Sequence, residues 1–361
     1  MSNHKIKFGM IGGGWRADFF LKIAQELPDR FELSAMMVRD GEKGAAIERR
    51  WGVKTYRTFE ETLAAATDAQ FVVVNVPWKP APEYLAALAE RGIPALCETP
   101  PAPDLPGLIQ LGELVAKGAK IQVAEQYAFQ PLHAARLAIV ESGRLGTISQ
   151  AQVSIAHGYH GINLMRRFLR VGFEPVTISA RKVVTPLIQG PNRAGPPTEE
   201  KLGDEAQTIA HFDFTSGKLG IFDFMSAQYF SWIRGNRLLV RGERGEIDGE
   251  TVRWLHDFRT PISLRLQRHD TGFSGNLEGM YHRGYTAGAE WLYHNPFIPG
   301  RLSDDEIAIA DCLQRMADYV AGGSEFYGLA EAAHDHYLNL LVGQAVESGQ
   351  PVKSKKYWWN E

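Results

Sequence analysis

The sequence predicts an α/β plus α+β protein: an N-terminal domain of strands and helices alternating on a parallel sheet, then a mainly antiparallel β-sheet domain flanked by helices. Three observations predict it. In the first third, apolar runs alternate with stretches of helical spacing. Beyond about residue 125, strand-like runs alternate apolar and polar residues. From Ser303 onward helical spacing returns. At roughly 150 residues per domain, 361 residues make about two domains, placed at 1–125 and 126–361.

Ile6 to Ile11 is a short apolar run ending in glycines, the first strand. Residues 15–27 carry Phe19, Phe20, Ile23 and Leu27 at helical spacing and stop before Pro28. Phe31 to Val38 is a second apolar run, and Gly44 to Trp51 and Leu63 to Ala66 read as helices. Gln70 to Val76 is continuously β-branched, as in a strand buried on both faces. Pro82 to Arg91 is a helix with proline near its start and Gly92 at its end. Pro94 to Glu98 and Ile121 to Ala124 add strands around a helix at Leu105 to Lys117. Repeated β-α units imply parallel strands joined by right-handed crossovers.

Leu132 to Ser142 is a helix closed by Gly143. Strands follow at Ser149 to Ala156, Val176 to Thr185, Thr208 to Thr215, Gly220 to Gln228, Arg237 to Arg241 and Thr251 to Leu255. The run Ile209-Ala210-His211-Phe212-Asp213-Phe214 shows the alternation, and Thr215-Ser216-Gly217-Lys218 the turn after it. Residues 189–200 and most of 270–300 read as loops. Ser303 caps a helix over Asp304 to Val320, and Leu329 to Ser348 is the last helix.

Composition excludes several classes. Hydrophobic residues at 44% and charged residues at 22% are those of a globular chain, not a disordered or fibrous one. Lys+Arg 39 against Asp+Glu 42 gives a net charge of −3, which offers nucleic acid or an anionic membrane no basic footprint. Two distant cysteines, Cys97 and Cys312, make neither a disulfide framework nor a thiolate metal site and suit a reducing compartment. The apolar stretch around Phe71 to Val74 is far too short for a membrane span, and Met-Ser-Asn-His-Lys leads straight into the first strand without an apolar leader. A cytoplasmic location is expected.

Gly12-Gly13-Gly14-Trp15-Arg16-Ala17 fits G-x-G-x-x-G/A between the first strand and the first helix of a βαβ unit. The first glycine turns the chain, the second lets backbone N–H groups approach a pyrophosphate, and the small third residue allows close helix–strand packing. The helix N-terminus adds partial positive charge. The N-terminal domain is therefore expected to be a Rossmann dinucleotide-binding domain for NAD or NADP. In such a domain an acid at the end of the second strand holds the ribose 2′-hydroxyl. Here Val38 stands at that position and Arg39 follows, which suits a 2′-phosphate and favours NADP(H). Asp40 is the acid instead if the strand runs one or two residues longer.

These pieces together resemble the glucose–fructose oxidoreductase / inositol dehydrogenase (Gfo/Idh/MocA) family over nearly the whole chain. Asn75-Val76-Pro77-Trp78 is similar to the family's T-P-N turn along the cofactor. Ala86 to Gly92 followed by Ile93-Pro94-Ala95-Leu96-Cys97-Glu98-Thr99-Pro100 is similar to A-x-x-G-x-x-V-x-C-E-K-P. Ser142-Gly143-Arg144-Leu145-Gly146 resembles S-G-x-I-G, and Arg237 to Ile247 a late v-x-G-x-x-G-x-I strand. The resemblance implies an NAD(P)-dependent enzyme that moves a hydride to or from a sugar or cyclitol carbon. It places Gly12, Gly13, Gly14, Trp15, Arg16, Val38, Arg39, Val76, Pro77, Trp78 and Glu98 along the cofactor, Glu98 near the nicotinamide ribose.

The departures fall on the proton-handling set. The family lysine of E-K-P is Thr99. His160 falls on the histidine of the family's D-x-x-x-H pair, whose Asp is replaced by Ala156, and Asn163 stands where an Asp is frequent. A threonine hydroxyl hydrogen-bonds but shuttles protons poorly, whereas an imidazole titrates near neutrality. His160, with Thr99, is thus the candidate catalytic pair, and a purely hydrogen-bonding His160 is the alternative. Tyr127, His157, Tyr159, Asn163, Tyr281 and His282 are candidate substrate contacts. His157-x-x-His160 has metal-ligand spacing but no carboxylate partner nearby, so no metal is expected. The aromatic, His- and Arg-rich stretch from Gly279 to His294 suits either sugar stacking or a subunit interface. Two other functions remain open: a hydrolase or epimerase that recycles a bound NAD, and a non-catalytic sugar or cofactor sensor. An open antiparallel sheet face suits a homodimer or homotetramer.

Overall fold

The computed structural model describes residues 5–275 and 279–360, and the chain divides into two compact units. The first takes in residues up to Pro131 and the segments Arg268–Gly284 and His294–Ala333. The second holds Leu132–Gln267, Tyr285–Tyr293 and His334–Glu361. The chain thus returns to the first unit twice after first leaving it.

The first unit starts β1 (Ile6–Ile11), α1 (Ala17–Glu26), β2 (Phe31–Met37), α2 (Gly41–Trp51), β3 (Thr55–Tyr56), α3 (Phe59–Ala65), β4 (Phe71–Val74), α4 (Ala81–Glu90), β5 (Ala95–Cys97), α5 (Leu105–Ala116) and β6 (Ile121–Val123). Its six parallel strands run in the order β3-β2-β1-β4-β5-β6. The sequence shows five of them: Thr55–Tyr56 is too short to leave a period and forms only by pairing with Met36 and Met37. β4 is buried along its whole length, as its β-branched run requires. α3 begins at Phe59 rather than Leu63, because Thr58 and Glu61 form a reciprocal capping box. Strand order reverses direction between β1 and β4, and in such sheets ligands bind outside the carboxyl ends of the strands at that point.

The second unit contains α6 (Pro131–Glu141, its first residue counted with the first unit), β7 (Ile148–Ser154), α7 (Gly158–Leu169), β8 (Val176–Ile188), β9 (Leu202–Phe214), β10 (Leu219–Met225), β11 (Arg237–Gly242), β12 (Gly245–Asp248) and β13 (Thr251–Leu255), and most of β14 (Pro261–Asp270), half of β15 (His282–Ala287) and most of β16 (Glu290–His294), whose residues 268–270, 282–284 and 294 are counted with the first unit. The chain ends with α8 (Asp304–Val320, first unit), α9 (Leu329–Ser348) and β17 (Val352–Lys353). Eleven strands form one sheet, β16-β15-β14-β13-β12-β11-β7-β10-β9-β8-β17, mostly antiparallel with β7 and β10 parallel. Two expectations are refined. The loop expected over most of 270–300 is interrupted by two strands, His282–Ala287 and Glu290–His294; residues 276–278 of that reading lie outside the described ones. The β8 and β9 strands are also longer than their apolar alternation, because they pair in register from Val176↔Phe214 to Ile188↔Leu202. No helix among the described residues is long and apolar enough to cross a membrane.

Candidate active site

In the first unit the glycine turn has the backbone its sequence demands. Gly12 sits at φ +105°, and a Cβ there would collide with the carbonyl oxygen of Asn75. A Cβ on Gly13 would meet Ile47 at 3.1 Å and Val38 at 3.2 Å, whereas Gly14 faces open space. The turn leads into α1, with the glycine-rich motif's Arg16 at the N-cap and its Ala17 as the first helical residue. Beside it, at the carboxyl end of β4, Asn75 is buried with Nδ2 lacking a hydrogen-bond partner among the described residues. A glycine turn open at Gly14, with a buried, orphaned amide donor beside it and a helix N-terminus after it, fits a dinucleotide. Asn75 opens the turn likened to T-P-N but was not itself placed on the cofactor; its burial without a partner among the described residues marks it.

The other predicted cofactor residues lie at the same carboxyl edge. Val76 is half-buried, and Pro77 and Trp78 are exposed after β4. Trp15 is half exposed and meets Phe19 edge-on. Arg16 lies under Trp15 and Phe19, its Nη1 donating to Asp305 at 2.8 Å and its Nε 3.9 Å from Glu98. Tyr127 follows β6 and raises the Arg16 pKa together with Glu98 and Asp305, although burial, the largest single influence, opposes them. Thr99 is half-buried beside Glu98. β2 stops at Met37, so the longer strand that would make Asp40 its terminal acid does not form. Asp40 caps α2 instead, accepting from Lys43 N at 2.9 Å. Val38 is buried, its carbonyl accepts from Arg57 Nη1 at 3.1 Å, and Arg39 is exposed.

In the second unit, α7 brings His157, Tyr159 and His160 together. The His160 ring centroid is 4.8 Å from that of His157 and 4.4 Å from that of Tyr159. Two glycines allow it: a Cβ on Gly158 would strike Asn339, and one on Gly161 would strike Phe222 of β10 and the Ala156 carbonyl. Tyr229 and His336 complete the cluster. The Tyr229 hydroxyl lies 2.7 Å from His157 Nδ1 and accepts from the His157 backbone N–H, and His336 meets Tyr159 edge-on at 5.4 Å. Burial first, then the neighbouring His160 and Arg193, push the His157 pKa down to about 4, so its ring is neutral at physiological pH.

Three predicted contacts also have hydrogen-bond partners within the protein. Asn163 donates from Nδ2 to Asp335 at 2.8 Å and accepts from Arg167 at 3.2 Å, part of a buried network in which Arg166 pairs with Asp335 at 2.6 Å. His282 is buried in the first unit, 2.9 Å from Asp270, and Tyr281 N donates to Thr271 Oγ1. Neither Tyr229 nor Asp335 could be found from sequence, since each reaches its partner across more than seventy residues.

A Rossmann dinucleotide-binding domain is thus defined by both strand order and glycine turn. A family model described as an oxidoreductase family with an NAD-binding Rossmann fold matches residues 6–126. Through this domain, about a third of its length, the chain is similar to the Gfo/Idh/MocA oxidoreductases. Inositol 2-dehydrogenase 4 of Saccharopolyspora erythraea is 29% identical over 151 residues, 40% of this chain and 44% of that protein. The chain therefore aligns with less than half the length of the curated relatives it matches. Over the full length, the fold is that of an oxidoreductase from Agrobacterium radiobacter solved with NAD+, L-tartaric acid and magnesium (TM-score 0.66, 15% identity, 97% of this chain and 98% of that one). A levoglucosan dehydrogenase solved with NADH and levoglucosan shares it too (TM-score 0.68, 16% identity, 98% and 100%).

Proposed function

We propose that the protein is an NAD(P)-dependent dehydrogenase or reductase acting on a CH–OH carbon of a sugar, cyclitol or sugar derivative. The carrying observation is the open glycine turn with the orphaned Asn75 amide beside it. Relatives named as inositol dehydrogenases and a fold shared with a levoglucosan dehydrogenase support the substrate class. The bound nicotinamide would supply the hydride acceptor or donor. The chain's residues do the rest. Backbone N–H groups after Gly12 hold the pyrophosphate, and Asn75 donates its free amide hydrogen. Glu98 accepts from ribose hydroxyls, and Thr99 hydrogen-bonds the substrate in place of a lysine.

His160 takes the hydroxyl proton on oxidation and returns it on reduction. His157, neutral and fixed by Tyr229, serves as a hydrogen-bonding wall rather than an acid; Tyr159 of the second unit and Tyr127 of the first are each read as substrate contacts. The exposed Arg39, with no acid at the end of β2, favours a 2′-phosphate and hence NADP(H). A cytoplasmic homodimer or homotetramer is part of this reading. The test is turnover of a sugar and cyclitol panel, followed by reduced-cofactor absorbance. His160→Asn should lower kcat by about 10²–10⁴-fold with cofactor Kd unchanged. Intact cofactor binding with no turnover on any member would overturn the enzymatic reading, and tighter NADH than NADPH binding the cofactor preference.

A further inference from the structure

Three consecutive acids open α8, and each takes a different cation. Asp304 accepts from Arg268 at 2.7 Å, Asp305 from Arg16 at 2.8 Å and Glu306 from Lys22 at 2.8 Å. A helix's first turn favours such charges, but only Asp305 reaches the glycine turn. Its other oxygen accepts from Gln126 Nε2 at 3.2 Å and Gln130 Nε2 at 3.1 Å, so three side chains fix the carboxylate.

Arg16 is confined in turn. Its guanidinium carbon lies 4.6 Å from the Trp15 ring and 4.7 Å from the Phe19 ring. A guanidinium is planar, with donors along fixed edges. Holding Nη1 on Asp305 therefore sets where the rest of the guanidinium lies, and its Nε sits 3.9 Å from Glu98 Oε2. The Arg16 and Glu98 side chains are 13% and 12% exposed, so water screens this pair little. Two carboxylates on one guanidinium also leave Arg16 no spare charge for a phosphate. The pyrophosphate is left to the backbone. Glu98 stands just beyond β5, in the half of the sheet that takes the second mononucleotide of a dinucleotide.

We infer that Asp305 is a positioning residue of the cofactor site: by holding Arg16 it fixes the Glu98 carboxylate for the ribose on the nicotinamide side. This rests on the dinucleotide-binding reading above. The test compares NADH with ADP by calorimetry, because ADP carries the adenosine and a diphosphate but lacks the second ribose. Asp305→Asn keeps the shape and removes the charge. It should weaken NADH about tenfold while ADP changes less than twofold. Arg16→Lys, a gentler change if Asp305→Asn folds poorly, should show the same selective loss. Lys22→Gln, which breaks only the neighbouring ion pair, should leave the NADH-to-ADP ratio unchanged. Equal weakening of both ligands, or of neither, would overturn the positioning role and leave the cofactor reading standing. A wild-type protein that binds neither ligand would remove the cofactor reading itself, and this inference with it.

Discussion

In the first unit, buried and half-buried charges are met by opposite charges: Arg16 by Asp305, Lys22 by Glu306, Arg268 by Asp304. The second has ion pairs too, Arg237–Asp223 among them, but also buries neutral imidazoles. Burial, with nearby Arg136, pushes His133 well down, and burial with Arg166 takes His334 down to about 2. His157 follows the same rule. The second unit's sealed ion pair, Arg166–Asp335, is 3% and 0% exposed. His282 of the first unit is also pushed down by burial, but Asp270 opposes the shift. Imidazoles held neutral in a dry interior resist taking up a proton, so the second unit should lose stability as pH falls.

The largest expected effect is in the second unit. Asp335→Ala would leave Arg166 buried without its partner and Asn163 without its acceptor. A loss of about 3–5 kcal/mol is expected by urea denaturation. A loss below about 1 kcal/mol would show that the network is not sealed. The matching break in the first unit is backbone rather than charge. Gly12→Ala puts a side chain into the Asn75 carbonyl at a left-handed φ, so NADH binding should fall by at least about a hundredfold, roughly 2.7 kcal/mol. Retained affinity would refute the glycine turn as the cofactor cradle.

How much of this was legible follows from what fixes each feature. The glycine turn and the β-branched β4 are set by local backbone sterics and burial, which leave residue types and periods in the sequence. β3 left none, because two residues paired to β2 have no period of their own. At the site, His157, Tyr159 and His160 were visible as neighbours on α7. Asp305 was visible only as a helix-start acid, because its partner Arg16 lies 289 residues away. Asn163 was read as a substrate contact, and its position on α7 said nothing of its hydrogen bond to Asp335 on α9. Local chemistry reads from sequence, whereas pairings made by chain return do not.

Acid sharpens the contrast. A histidine whose folded pKa lies below its unfolded value of about 6.5 binds protons first in the unfolded state. Its stabilising contribution is therefore complete above about pH 6.5 and lost as pH falls. For His157 the loss runs down to about pH 4; for His334 it continues towards about pH 2. From pH 7.5 to 5, His334 alone should cost about 2 kcal/mol. His334→Leu should flatten the slope of unfolding free energy against pH, since neither ring nitrogen of His334 has a hydrogen-bond partner to lose among the described residues. An unchanged slope would place the proton uptake elsewhere.

The smallest effect decides whether burial or charge pairing as such stabilises the first unit. Arg50 and Asp18 pair at 2.8 Å, as short as Arg16 and Asp305, but are 64% and 41% exposed. In high dielectric the attraction is small, and two side chains must be held to make it. Asp18→Asn should therefore cost less than about 1 kcal/mol and shrink further at high salt. It should leave cofactor affinity alone, since Asp18 points to α2 and not to Asp305 or Glu98. If Asp18→Asn instead cost as much as Asp305→Asn, length of contact rather than burial would set the strength of these pairs. The distinction between the two units would then lose its physical basis.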